Sequence, residues 1–171
     1  NNKESTISSS LIKMVLKNNN FTNTVLSSKN NFNFTISNKF KISDLKFNSK
    51  INLAKAEYEI DNLSIKKYIP DFDKKIIFLD QNIDINYNNK ALFGGSGNFQ
   101  IGEKKDEINY KFEITKNNTK FDLNFRINQI PFKIDLINFS KDENEIANIK
   151  VKGVTKNKKI ILNNINFKKN D

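Results

Sequence analysis

The sequence contains no cysteine, no histidine and no tryptophan, and it has only two prolines and five glycines among 171 residues. Without cysteine there are no disulfides and no thiolate metal sites. Histidine is the commonest general base, and its absence also excludes the usual catalytic triads and most zinc sites. We therefore predict a protein that is not an enzyme and that needs no cofactor or metal.

Long apolar runs are also absent. The longest is Ile76-Ile77-Phe78-Leu79, far below the roughly 20 residues that span a bilayer. The first residues lack the basic start and apolar stretch of a signal peptide. The chain begins with Asn1 rather than Met, so we expect one domain, residues 1–171, that is a segment of a longer protein.

The net charge of +10 raises the question of nucleic acid. Lysine, however, abounds together with Asn, Ile and Phe, the residues whose codons are richest in A and T, and Arg126 is the single arginine. Arginine supplies the bidentate fork that phosphate and base recognition uses most. Single-strand binding also needs aromatic rings and positive charge on one surface, whereas Lys111 alternates with Tyr110 and Phe112. We predict no nucleic-acid partner.

The periodicity of apolar residues changes once along the chain. In "STISSSLIKMVLKNN" the apolar residues recur at helical spacing, which predicts a short helix over residues 8–17. From residue 21 to residue 171 the period is two, with short breaks rich in Asn, Asp and Gly that suit hairpin turns. This pattern predicts an all-β fold, an antiparallel meander of roughly nine to eleven strands.

The alternation is clearest in "FDLNFRINQIPFKIDLINF", residues 121–139. Asn128-Gln129 shifts its phase by one, and Pro131 cannot donate to a strand ladder, so we expect a hairpin turn or a bulge there. We also expect Phe121, Leu123, Phe125 and Ile127 to share a face with Tyr110, Phe112 and Ile114 of the preceding strand. Two shorter motifs are read as structural. "DFD" at Asp71 and Asp73 is a solvated loop rather than a calcium site, and "GGSG" at 94–97 curves the sheet.

One face of the predicted sheet is continuously apolar, and something has to cover it. Burying each Phe, Ile or Leu contributes about 1.5–3 kcal/mol, so a dozen left in water would forfeit more than a typical domain's net stability. The strand pattern alone favours a closed sandwich or barrel core, but only one short helix is available as a lid. The alternative is an open groove for an apolar ligand. The residues predicted to line it are Ile83, Ile85, Tyr87, Phe99, Ile101, Ile108, Tyr110, Phe112, Ile114, Phe121, Leu123, Phe125, Ile127, Phe132, Ile134 and Leu136.

Two stretches also resemble a known family. The stretches are "IDNLSIKKYIPDFDKKIIFLDQNIDINYNNKALFGGSGNFQIGEKKDEINYKFEI" and "FKIDLINFSKDENEIANIKVKGVTKNKKIILNNINF". They resemble the AsmA-like proteins, in particular their YhdP branch, as encoded in the AT-rich genomes of some Gram-negative bacteria. The resemblance implies repeated β-groove units, in which a curled antiparallel meander forms an open β-groove. These units belong to a periplasmic bridge whose inner-membrane anchor lies outside this chain. It further implies that the groove carries phospholipid acyl chains between the inner and outer membranes, with no catalytic residues.

Two other readings remain open. One is a lipopolysaccharide-type β-jelly-roll transporter, which also binds lipid. The other is a structural or adhesin-like β-rich envelope protein with a closed sandwich core.

Overall fold

The computed structural model describes residues 20–60, 63–157 and 159–170. They form ten strands: β1 (Phe21–Ile36), β2 (Ile42–Glu59), β3 (Lys75–Asn88), β4 (Lys90–Ile101), β5 (Lys104–Ile114), β6 (Asn118–Ile127), β7 (Phe132–Ile134), β8 (Phe139–Lys141), β9 (Ile146–Lys156) and β10 (Lys159–Asn170). Two 3₁₀ turns are present, at Leu63–Lys67 and Asp135–Ile137. The helix predicted over residues 8–17 lies outside the described residues.

Eight of these strands form one antiparallel sheet in the order β1-β2-β3-β4-β5-β6-β9-β10, which is called the main sheet below. Strands β7 and β8 pair only with each other. Because β1 and β10 do not pair, the main sheet is open and does not close into a barrel. The prediction of an all-β, open, curled antiparallel meander is confirmed.

The register of β5 against β6 follows from the alternation in their sequences. Tyr110 pairs with Leu123 and Phe112 pairs with Phe121, so the apolar residues of both strands share one face. A slip by one residue would turn one of these apolar sets to the opposite face, which fixes the register strongly. The predicted sidedness is confirmed.

Along β3 the apolar residues change from an even-numbered position, Phe78, to odd-numbered positions such as Ile83. A bulge between them keeps the apolar face continuous. The pairing of β3 with β4 shifts between Leu79 and Asn82, and Asp80 has a positive φ of 51°. Aspartate tolerates this left-handed conformation better than most residues. As a result, Phe78 lies directly opposite Phe99.

The two ends of the main sheet differ. Among the described residues, the end called the capped end carries segments 63–74 and 128–145, whereas the open end carries short turns between consecutive strands. The buried apolar cluster lies at the capped end and consists of Phe72, Phe99, Ile101, Ile108, Ile127, Ile130 and Ile149. The expectation of a hairpin turn or bulge at 128–131 is wrong, because the chain leaves the main sheet there and returns only at β9.

Candidate functional site

One side of the main sheet, called the apolar face, carries hydrophobic side chains across all eight strands. Towards the open end its members are Leu26, Phe32, Phe47, Ile51, Leu53, Ile83, Ile85, Tyr87, Ala91, Phe93, Tyr110, Phe112, Ile114, Phe121, Leu123, Phe125, Val151, Leu162 and Ile165. Nine of the residues predicted to line a groove are among them. Their shared face follows from direct cross-strand pairing.

The apolar face is incompletely covered towards the open end. Ile85, Phe93, Phe112 and Phe121 are half-buried, and Ile114 is 43% exposed. Within the described part of the chain, all extensive strand-to-strand contacts in the main sheet join neighbours in that sheet. The ring of Phe93 contacts those of Tyr110 and Phe112 on the neighbouring strand, so side chains beside one another account for part of this burial.

Aromatic rings lie flat on this face because glycine stands opposite them. Gly95 pairs with Tyr110, and a Cβ placed on Gly95 would be 2.6 Å from the tyrosine hydroxyl oxygen. Gly153 pairs with Phe121, and a Cβ there would be 2.5 Å from the ring. The ring of Phe93 lies 5.4 Å from that of Tyr110, measured between centroids. These glycines permit close approach of a neighbouring ring.

The curving role predicted for residues 94–97 stays a prediction. β4 pairs with β5 without any register shift, and the bulge lies in β3 opposite Gly97. A Cβ on Gly97 would be 2.5 Å from the Gln81 side-chain nitrogen, so this glycine also accommodates a neighbour.

Two polar side chains, Tyr110 and Gln81, lie near the middle of the apolar face. Burial raises the pKa of Tyr110 to about 12. Gln81 is almost completely buried, and its Nε2 donates hydrogen bonds to the carbonyls of Leu79 (3.2 Å) and Asn98 (2.6 Å). Its Oε1 has no hydrogen-bond partner among the described residues. Gln81 is thus shielded from water, whereas Tyr110 is half-buried.

Four predicted lining residues lie in the closed cluster of the capped end. Phe99, Ile101, Ile108 and Ile127 are buried together with Phe72 from segment 63–74. The rings of Phe99 and Phe125 meet edge to face with their centroids 5.8 Å apart. This part of the apolar face is a packed core, so a ligand could reach these four residues only if the segments above them moved.

Segment 128–145 is fixed over this core by a buried carboxylate. Asp106 Oδ1 accepts hydrogen bonds from the backbone N–H groups of Asn128 (2.7 Å) and Gln129 (3.0 Å), and Oδ2 accepts one from Ile130 (2.9 Å). Hydrogen bonds to an ionised acceptor are roughly twice as strong as neutral ones. They draw the chain out of the main sheet directly after β6.

A buried lysine holds the same segment from its other side. Lys141 Nζ donates hydrogen bonds to the backbone carbonyls of Asn128 (2.6 Å), Ile130 (3.0 Å) and Asp142 (2.8 Å). Burial lowers the pKa of Lys141, while the nearby charge of Asp106 opposes this shift. Residues 128–130 thus have their N–H groups held by one buried charge and two of their carbonyls by another.

The last three predicted lining residues do not lie on the main sheet. Phe132 and Ile134 belong to the small sheet of β7 and β8, and Phe132 packs against the ring of Phe167, with centroids 6.3 Å apart. Leu136 lies in the 3₁₀ turn Asp135–Ile137 and is 93% exposed, so its assignment to the groove is wrong. The strand stops at Ile134, and Asn138 closes the turn in a left-handed conformation.

The opposite side of the main sheet is polar. Lys111 pairs with Asp122 in the register of β5 and β6, and Lys152 Nζ lies 3.0 Å from an oxygen of the Asp122 carboxylate. In the "DFD" motif, Asp71 forms an ion pair with Lys104 at 2.8 Å, while Phe72 between the two aspartates is buried. The described residues contain no group of three or more side chains placed to hold a metal ion.

Several members of the apolar face were not among the residues predicted to line a groove. Phe47, Ile51 and Leu53 alternate in β2, and Phe93 alternates with Ala91 in β4. The period of two would have identified them all.

Comparison with known proteins adds no relative. No family model, no curated protein and no solved structure matches this chain. In the described residues, no helix is both long enough and apolar enough to cross a membrane.

Proposed function

We propose that this chain is one section of a periplasmic, bridge-like lipid transfer protein related to the AsmA-like family. In the full-length protein an anchor outside this chain would hold it to the inner membrane. The apolar face would carry phospholipid acyl chains between the inner and outer membranes. The observation that carries the proposal is the incompletely covered apolar face, which continues across eight strands.

The chemistry of the apolar face suits an acyl chain. Phe93, Phe112 and Phe121 offer hydrophobic contact and no hydrogen-bonding group, and each methylene that such a surface removes from water contributes about 0.8 kcal/mol. Strands lie about 4.8 Å apart, so eight of them make a path roughly 34 Å long across the sheet. Because no polar contact fixes one position, a bound chain could slide.

The competing proposal is a structural, adhesin-like envelope protein with a closed core. The buried cluster of the capped end favours it, because Phe99 and Ile108 are packed as they would be in a sandwich. If other parts of the longer protein covered the open end in the same way, no space for lipid would be left. A single experiment separates the two proposals.

The test adds one carboxylate to β5 on either face. Phe112→Asp places it on the apolar face, and the matched control Asn109→Asp places it on the polar face of the same strand, because Asn109 pairs with Asn124. Each protein is purified from a diderm host, bound lipid is measured by native mass spectrometry and lipid extraction, and the melting temperature is recorded. We expect bound phospholipid in the parent protein and in Asn109→Asp, and its loss in Phe112→Asp.

The stability of the two variants completes the test. On an open face, water reaches the new carboxylate, so Phe112→Asp should lower the free energy of unfolding by only about 1–2 kcal/mol. In a closed core the same substitution buries an unpaired charge and should cost more than about 4 kcal/mol. If the parent protein carries no lipid and the Phe112→Asp variant fails to fold, the structural proposal is favoured. Unchanged lipid in a folded Phe112→Asp would refute the proposed site.

A further inference from the structure

The turn between β1 and β2, called the hairpin tip (residues 34–45), extends beyond the rest of the open end. β2 begins to pair with β3 only at Lys46, so the residues before it are supported by β1 alone. Ile36 pairs with Ile42, and these two side chains are 56% and 64% exposed. Between them Phe40 is 90% exposed. The hairpin tip is an apolar projection into solvent.

The backbone at Phe40 is strained. The Phe40 N–H donates to the Ser37 carbonyl at 2.9 Å to close the turn, and Phe40 itself has a φ of 55°. This left-handed position suits glycine or asparagine, because a larger side chain crowds the neighbouring carbonyl. An aromatic residue there is unfavourable, and its fully projecting ring gains no packing in return.

The rest of the chain uses a different solution at such positions. The other non-glycine residues with positive φ are Asn23, Asp44, Lys74, Asp80, Asn89, Asn138, Asn144 and Asn157, so most are Asn or Asp and none of them is apolar. Phe40 is the exception among the described residues. Strained conformations that give no local stability are typical of functional sites.

The charge around the hairpin tip is positive. Lys39, Lys41 and Lys46 lie within or beside it, against the single acid Asp44, and no described residue forms an ion pair with any of these lysines. Exposed apolar side chains flanked by basic residues are the combination that binds anionic membrane surfaces. A second copy of the same tip would bring like charges together.

We propose that the hairpin tip docks on an anionic lipid surface. Phe40, Ile36 and Ile42 enter the boundary between headgroups and acyl chains, while the neighbouring lysines pair with headgroup phosphates. The inference rests on the exposure, strain and charge of the hairpin tip and not on what the apolar face binds. It would place the open end of the main sheet, rather than the capped end, towards a membrane.

The absence of tryptophan from the chain permits a clean probe. Phe40→Trp introduces the only tryptophan at the hairpin tip, and Leu136→Trp introduces it at an equally exposed position at the capped end. Both proteins are mixed with vesicles made of equal parts phosphatidylethanolamine and phosphatidylglycerol, and with vesicles of phosphatidylcholine alone. We expect a blue shift of emission and quenching by brominated lipid for Phe40→Trp with the anionic vesicles, reduced by high salt. Leu136→Trp should show neither.

Phe40→Asn separates docking from folding. Asparagine accepts the left-handed conformation, so the melting temperature should stay the same or rise, while binding to anionic vesicles in a flotation assay should fall at least tenfold. Unchanged vesicle binding, or an equal emission shift for Leu136→Trp, would overturn the proposal. Self-association of the parent protein without vesicles, abolished by Phe40→Asn, would also overturn it and assign the hairpin tip to contacts between copies. None of these outcomes depends on lipid bound to the apolar face.

Discussion

The open and capped ends are built on the same strands and differ in what lies over them. β4 and β5 contribute Phe93 and Phe112 to the open end, which are half-buried, and Phe99 and Ile108 to the capped end, which are buried. The alternation is the same at both ends. Strand sequences thus determine which side chains share a face, whereas the segments between strands determine whether that face becomes a core.

The cover of the capped end depends on two buried charges and not on hydrophobic contact alone. Asp106 and Lys141 bind the backbone of residues 128–130 from opposite sides, and Ile130 is thereby held in the cluster. In the described part of the chain, no comparable segment is held over the open end. Two kinds of variant test this difference. One removes the buried contacts that hold residues 128–130, and the other makes matched substitutions at the two ends.

The largest effect is expected for Asp106→Ala. This substitution leaves three backbone N–H groups without their buried acceptor, which should lower the free energy of unfolding by about 3–5 kcal/mol. Asp122→Ala is the control, because it removes a partly exposed carboxylate paired with Lys152 and should cost less than about 1 kcal/mol. Urea denaturation of both variants measures the difference. Equal losses of stability in the two variants would show that the hydrogen bonds of Asp106 stabilise the protein no more than the surface ion pair of Asp122 does.

The next largest effect compares two phenylalanines on the neighbouring strands β4 and β5. Phe99→Ala opens a cavity in the closed cluster and should cost about 3–4 kcal/mol. Phe112→Ala removes a half-buried ring from the open end and should cost about 1–2 kcal/mol, because water can occupy the vacated volume. Chemical denaturation again provides the measurement. A Phe112→Ala loss as large as that of Phe99→Ala would mean that the open end is covered in solution.

The alternation of apolar residues was sufficient to predict which residues of neighbouring strands share a face, but not that β6 pairs with β9 instead of the next strand in sequence. Ile108, Tyr110 and Phe112 share a face with Phe121 and Leu123, as their period of two requires. Turn residues such as Asn89 and Asn157 lie at positive φ, the conformation that made Asn-rich breaks readable as turns. Local rules determine both features, so a single sequence reveals them.

The cover of the capped end could not be predicted from the sequence. Phe72 lies between two exposed aspartates in a motif that reads as a solvated loop, yet it is buried. Ile130 to Leu136 continue the alternation of β6, but Asp106, 22 residues earlier in the chain than Asn128, takes the N–H groups that a strand would need. Burial of a charge against distant backbone is a tertiary interaction with no local sequence signal.

The smallest effect at neutral pH, and the finest test of the boundary between the ends, is expected for Tyr110→Phe. Tyr110 packs against the closed cluster while its ring contacts Phe93 of the open end. Its hydroxyl forms no hydrogen bond with another described residue, so removing it should change stability at neutral pH by less than about 1 kcal/mol. Burial raises the pKa of Tyr110 from 10.0 to about 12, so the folded protein keeps a proton that the unfolded chain loses between these two values. The folded state then binds more protons, and the free energy of unfolding must fall as the pH rises from 10.0 to about 12. Denaturation midpoints across that interval should fall more steeply for the parent protein than for Tyr110→Phe. Parallel curves would mean that water reaches the Tyr110 hydroxyl in the folded protein and that burial does not raise its pKa.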